Sequence, residues 1–258
     1  MKFHQLICLI LILPGLFSCA QNFVGGNSDT LDVAERTNEV ATSNLNLGIA
    51  YMQRGEYEAS LDKLKKALDA DPHYTPTLNA LGLLYQKLGK NEEAEQYFKR
   101  ALSIRSNDPH TLNNYGQFMC INGRPDEAEQ TFIKSANNPL YDSPEISLTN
   151  AGTCALKNNQ PDKAETYFRQ ALDKNGKVPI ALIQMSQLSY DQGNYLSARG
   201  YLQRYLEVAK HTANSLWLGI QIEQHLGDKN TLSSYALLLK NNYPNSKEAE
   251  LLREAGIK

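Results

Sequence analysis

The chain has 258 residues, with 26 basic and 28 acidic side chains, a net charge of −2 and 41% hydrophobic residues. Charge balanced in this way excludes bulk electrostatic attraction to nucleic acid, and the hydrophobic content is that of ordinary soluble material. The length suits one or two compact domains, or a single array that grows by adding like units.

Met1–Ser18 stands apart from the rest. Lys2 is a basic flank and Leu6–Leu13 a continuous apolar run, too short to span a membrane and laid out as a secretory signal. Leu16-Phe17-Ser18-Cys19 resembles a bacterial lipobox, with an aliphatic residue three before the cysteine and a small one before it. Phe17 is larger than usual at the middle place. The resemblance implies that Cys19 becomes the acylated first residue of the mature protein (palmitate among its chains). Ala20 after it implies sorting to the outer membrane. Several acyl chains hold stably, since each buried methylene adds roughly 0.8 kcal/mol.

Gln21–Thr30 carries Gly25, Gly26, Asn27 and Ser28 without a helical period, and reads as a tether. Leu31–Thr42 begins a leading helix that runs into the first of several similar units. The unit is clearest at Asn79–Ala101, two short helices joined at Gly89. Leu78, Leu81 and Tyr85 put bulk on one face of the first helix, and Gly82 leaves a hole among them. Ala94, Tyr97, Phe98 and Ala101 form the stripe of the second. A small residue facing a large one lets helices approach closely.

Stepping along the chain finds the same columns again. Gly48, Gly82 and Gly116 fall 34 residues apart, Gly152 follows two residues late, and Ser186 falls 34 further on. The turn column reads Gly55, Gly89, Gly123, Asn159, Gly193 and Gly227. Glycine, with asparagine next, closes a helix in the left-handed region at least cost. The second helices contribute Ser60, Ala94, Ala128, Ala164 and Ala198, then Leu64, Phe98, Phe132, Phe168 and Leu202, and Pro72 and Pro244 close the first and sixth units. These columns resemble the tetratricopeptide repeat, whose signature is a 34-residue period with an L-G-x2-Y…A-x3-F…P pattern. The expected fold is all-α: a right-handed superhelical solenoid of six helix-turn-helix repeats plus a C-terminal capping helix. The units are 41–74, 75–108, 109–144, 145–178, 179–212 and 213–246. Residues 1–18 are the signal, 19–40 the lipidated start, tether and leading helix, and 247–258 the cap.

Two places break the pattern. Ala136–Pro144 holds two extra residues and two prolines, so a longer loop is expected, read as a tolerated insertion in preference to a binding loop. In the sixth unit Ile220 stands at the small site and Leu232 at the alanine site, as suits an atypical terminal repeat. Ser246 with Glu248 and Glu250 starts the final helix.

Chemistry is scarce. The five histidines fall apart from one another, and no nucleophile, phosphate or metal motif is present, so neither an enzyme, a cofactor nor a metal is expected. Glu92-Glu93-Glu95 and Asp126-Glu127-Glu129 read as solvated first turns of second helices. Cys120 and Cys154 remain in the mature chain. A disulfide is open to them in an oxidising compartment, but helix axes 8–10 Å apart favour two buried free thiols.

Function is expected on the first helices, which line the concave face in this architecture. The outward columns are Leu45, Ile49 and Met52; Asn79, Leu83 and Gln86; Asn113, Gln117 and Cys120; Ile146, Thr149 and Thr153; Ile180, Ile183, Gln187 and Tyr190; and Trp217, Gln221 and Gln224. This surface is apolar, amide-rich and nearly uncharged, so an extended or amphipathic polypeptide is the implied ligand and no small-molecule substrate is expected. Trp217 reads two ways, as a binding anchor or as packing between the fifth and sixth units.

The LFSC start, NLGIAYMQRGEYEASLDKLKKALDADP at 46–72 and NNYGQFMCINGRPDEAEQTF at 113–132 resemble the PilF/PilW type IV pilus biogenesis lipoproteins. Met119 stands where that family commonly has leucine. The resemblance spans essentially the whole chain. It implies a pilotin on the periplasmic face of the outer membrane, which binds secretin subunits and promotes their localisation and multimerisation. Another periplasmic repeat lipoprotein, acting on cell-wall synthases or outer-membrane protein assembly, is the alternative.

Overall fold

A computed structural model describes residues 28–256. The signal, Cys19 and most of the tether lie outside the described residues. Thirteen α-helices and no strand occur among those described, running as α1 (Ser28–Gln53), α2 (Tyr57–Ala70), α3 (Thr75–Lys87), α4 (Asn91–Ile104), α5 (Pro109–Ile121), α6 (Pro125–Ala136) and α7 (Pro144–Lys157). They continue as α8 (Pro161–Lys174), α9 (Pro179–Asp191), α10 (Tyr195–Leu206), α11 (Ala213–Leu226), α12 (Lys229–Asn242) and α13 (Lys247–Glu254). Each odd helix from α1 to α11 pairs with the even one after it, giving six helix hairpins stacked in an all-α superhelical array. Helix α1 starts earlier than expected, so Ser28–Thr30 are helical and not tether.

The glycine column explains the close pairing. A Cβ added to Gly82 would sit 2.7 Å from the Phe98 ring, and Gly116 against Phe132 and Gly152 against Phe168 repeat that distance. No real side chain tolerates such an approach, so glycine is a packing requirement there. The fifth unit meets it differently: Ser186 is buried and its hydroxyl donates to the Ala198 carbonyl at 2.8 Å. At the fourth turn Asn159 takes a left-handed φ of 55°, as its place in the glycine column requires.

A second column ties the second, third and fifth units each to the one before. Arg100 donates to the Pro72 carbonyl at 2.8 Å, Lys134 to Ser106 at 2.8 Å and Arg204 to Gly176 at 3.2 Å. These cations satisfy the exposed carbonyls of the connecting loops. A third tie is covalent. Cys120 on α5 and Cys154 on α7 form a disulfide with Cα atoms 5.9 Å apart, which corrects the expectation of two free thiols. The axis spacing of about 8–10 Å misleads because each helix carries its Cα atoms about 2.3 Å out from the axis, so facing Cα atoms come within reach.

The ends of the stack differ. On α1, Ser43, Asn44 and Asn46 stand where α3 has Thr77, Leu78 and Ala80, and these polar residues meet solvent where their α3 counterparts are buried. At the other end Ala249 and Leu252 of α13 are fully buried with Leu216, Ile220, Ala236 and Leu239. Ser246 caps α13 by accepting from the Ala249 amide at 3.1 Å.

The sixth unit keeps the small-against-large contact, contrary to the reading of Ile220. Gly219 fills the role one residue early, where an added Cβ would lie 2.8 Å from the Tyr235 ring. By the same step Thr231, not Leu232, takes the alanine place. Helix α11 has 14 residues where α9 has 13, which absorbs the shift. Ile220 is fully buried in one cluster with Ala236, so on that row large and small have exchanged sides.

Candidate functional site

The odd helices form the inner layer. α1 touches α3, α3 touches α5, α5 touches α7 and α9 touches α11, while successive even helices make no comparable contact. The α7–α9 step is looser, and there Ile146 and Ile180, at equivalent positions of the two helices, are 46% and 55% exposed.

The predicted face divides on inspection. Leu45, Met52, Asn113 and Thr149 are buried and line no open surface, a correction to their outward placement. They sit on the side where each odd helix meets its neighbour, and period alone does not separate that side from the open one. Ile49, Asn79, Leu83, Gln86, Gln117, Thr153, Ile183, Gln187, Tyr190, Trp217 and Gln221 are half-buried. Among these, Ile49 and Leu83 pack on the core of the first two units, Ile183 and Tyr190 on that of the fifth, and Trp217 on the cluster closed by α13.

The amides are less available than expected. Asn79 Oδ1 accepts from Asn114 Nδ2 at 3.1 Å, and Asn113 Oδ1 accepts from Asn150 Nδ2 at 2.9 Å and from the Ser147 hydroxyl at 3.1 Å. This asparagine ladder satisfies buried polar groups between repeats. Gln187 Nε2 donates to Asp191 at 2.8 Å. The side-chain amides of Gln86, Gln117 and Gln221 have no hydrogen-bond partner among the described residues.

One small cavity gathers inner-layer residues. It holds about 90 Å³ over the Cys120–Cys154 bridge and is lined by Gln117, Ile121, Asn150, Thr153 and Lys157, with Phe132 at its base. Only Gln117, Thr153 and the Cys120 column were anticipated on the open face. Ile121, 62% exposed, and Lys157 belong to a column one place beyond those read from the sequence, which also holds Lys87 and Asp191. The face therefore carries charge at its rim, so the expectation of a nearly uncharged surface holds only for its centre. Lysine in the last turn of α3 and α7 also suits the negative helix end.

Charges on the second helices do more than meet solvent. Glu95 accepts from Tyr115 at 2.7 Å and from Arg124 at 2.8 Å, both in the following unit. The Arg124 guanidinium holds the Glu95 carboxyl down at about 2 against its ordinary 4.5, while burial and then Glu95 push the Tyr115 phenol up to about 12. One unit on, Glu129 accepts from Tyr167 and from Lys163. In the fourth unit Glu165 accepts from Gln192 at 2.7 Å. At the same place in the fifth unit the sign reverses: Arg199 pairs with Glu223, which is 2% exposed. Glu95 and Glu129 are thus inter-repeat ties, not the solvated carboxylates expected. No grouping of three or more His, Cys, Asp or Glu fit for a metal ion occurs among the described residues, and no helix among them is long and apolar enough to cross a membrane.

Known proteins give context to this geometry. The tetratricopeptide repeat family matches residues 39–107, 97–130 and 149–215. The chain is 30% identical over 240 residues to the type IV pilus assembly protein PilF of Pseudomonas aeruginosa, covering 93% of this chain and 94% of that one. The solved structure of P. aeruginosa PilF is similar with a TM-score of 0.76 at 30% identity, covering 85% of this chain and 99% of that chain. The crystal structure of PilW, described as a widely conserved type IV pilus biogenesis factor, gives 0.72 at 29% identity, covering 83% and 99%.

Proposed function

Because this chain belongs to the tetratricopeptide-repeat family of the type IV pilus biogenesis proteins PilF and PilW, we propose that it is a pilotin: a lipid-anchored scaffold that holds secretin subunits at the periplasmic face of the outer membrane. Cys19 carries the anchor. The inner layer receives an extended segment of the secretin, and multimerisation follows from the placement of bound subunits at the membrane. The carrying observation is the inner-face cavity. It sets the unpaired amide of Gln117 beside the exposed Ile121 and the hydroxyl of Thr153, which suits backbone pairing next to an apolar side chain. The exposed Ile146 and Ile180 continue that surface into the fifth unit.

A photo-crosslinking residue at Thr153 in living cells tests this, with Gln96 on the outer layer as control. Secretin subunits are expected to be captured from position 153 and not from 96. Equal capture from both positions, or capture at 153 of a cell-wall synthase in place of a secretin, overturns the reading.

A further inference from the structure

The two extra residues between the third and fourth units make the α6–α7 connection the longest among the described helices. The α6–α7 loop folds over the α4–α5 connection and encloses an open cleft of about 1040 Å³. Its tip is held in place. Asn138 Nδ2 donates to the Asn107 carbonyl at 2.6 Å, the Leu140 amide donates to Asn138 Oδ1 at 2.9 Å, and buried Tyr141 sets its ring against His110 at 5.3 Å. Leu140 is nevertheless 89% exposed. A leucine that the local hydrogen bonds hold out in water, with Pro139 beside it and Ile104 also lining the cleft, is an apolar contact without an internal partner.

The charges in the cleft are one-sided. Arg105 has no ion pair among the described residues, and Lys134 is engaged only by the Ser106 carbonyl. The one carboxylate lining the cleft, Asp108, is turned to its own helix and caps the Thr111 amide at 2.8 Å. Two cations therefore lack an anionic partner beside an apolar wall.

We propose that this cleft is a second docking site, separate from the inner-layer cavity, for a partner's peptide segment that presents carboxylates next to an aliphatic side chain. Arg105 and Lys134 would take the carboxylates, and Leu140 with Ile104 the aliphatic group. An anionic lipid surface matches the charge less well, because Asp142 is exposed two residues from Leu140 and would meet the headgroups.

The test is fluorescence anisotropy of the full chain with a labelled Gly-Ser-Asp-Leu-Asp-Ser-Gly peptide, its Asn-Leu-Asn analogue, and vesicles of phosphatidylcholine with phosphatidylglycerol. The acidic peptide is expected to bind, to weaken with added salt, and to lose about tenfold or more in affinity with Arg105→Glu or Leu140→Asp. Both side chains are solvent-exposed, so melting curves of these variants should match the wild type. Thr153→Arg, in the inner-layer cavity, should leave this binding unchanged, which keeps the cleft distinct from the secretin-binding face. No binding of the acidic peptide, equal binding of its amide analogue, equal binding by the variants, or Arg105-dependent binding of the vesicles in place of the peptide would each overturn the proposal.

Discussion

Cys120 and Cys154 are bonded to one another across α5 and α7, at the one junction where the repeat gains two residues. Among the described residues, neighbouring units elsewhere are joined by packing, hydrogen bonds and ion pairs without a disulfide, so the bridge reinforces the step whose connecting loop is longest. The bonded cysteines are 34 residues apart. A loop of that size closed in the unfolded chain corresponds to about 3–4 kcal/mol on the chain-entropy account. Cys120→Ser is expected to lower the urea midpoint of the oxidised protein to that of the wild type treated with dithiothreitol. A wild-type midpoint that reductant does not move would show that the bridge contributes nothing.

Glycines at two kinds of place should respond oppositely to one methyl group. Gly82→Ala puts a Cβ 2.7 Å from the Phe98 ring, which is overpacking, and should destabilise by about 1–3 kcal/mol. Gly200 lies inside α10 with open space around it, so Gly200→Ala should stabilise by roughly 0.5–1 kcal/mol. Thermal melts of both variants decide it, and shifts of the same sign would undo the assignment of Gly82 to the inter-helix contact.

The repeat columns were readable because the same demand recurs unit after unit, so that Gly82 facing Phe98 is confirmed by Gly116 and Phe132. What stayed hidden does not run along a column. Asn114 meets Asn79 and Asn150 meets Asn113 at separations of 35 and 37 residues, one beyond the local repeat step, so each pair is diagonal between rows. Glu95 reaches Arg124 at a separation of 29, again off the repeat, and looked like a solvated acid for that reason. In the sixth unit the small site is Gly219, 33 residues after Ser186, which counting by 34 passes over, and the extra residue of α11 restores the register at the Gly227 turn. At the candidate site, Gln117 and Thr153 were found by column, while Ile121 and Lys157 lay one column further round the helix.

Acid should weaken the array through Glu95. Its carboxyl titrates at about 2 in the folded chain, below its ordinary 4.5, so the stability it contributes is fully present above about 4.5 and is lost as pH falls toward 2. Glu95→Gln should cost roughly 1–2 kcal/mol at neutral pH. The gap between variant and wild type should close between pH 4.5 and 2, the interval set by the ordinary and shifted values. Urea midpoints taken at neutral pH and at successively lower values measure this. A gap that stays constant across the interval would mean that the Arg124 pairing does not hold the carboxylate.

The anchor proposal has a direct consequence. Cys19→Ser should leave a folded protein in the soluble periplasmic fraction and reduce the secretin multimers recovered from the outer membrane, because the lipid supplies placement and not fold. A variant that still sediments with the outer membrane would remove the lipobox reading while leaving the repeat array untouched.

Trp217 separates binding from architecture. It is half-buried and packs on the cluster of Leu216, Ile220, Ala236, Leu239, Ala249 and Leu252 that α13 closes. Truncation should therefore loosen the cap, and Trp217→Ala is expected to cost about 3 kcal/mol or more, with the melting temperature falling by several degrees. The proposed secretin-binding face centres on Gln117, Thr153, Ile146 and Ile180, so on that proposal Thr153→Arg should abolish secretin capture without moving the melt. Charge on that face lies at Lys87, Lys157 and Asp191 along the rim, and salt should weaken secretin binding only slightly as ionic strength rises to the physiological range. Steep salt dependence that persists in Lys157→Gln would shift the contact away from this face. Lost capture in Trp217→Ala with an unchanged melt would instead make Trp217 an anchor for the partner and not for the cap.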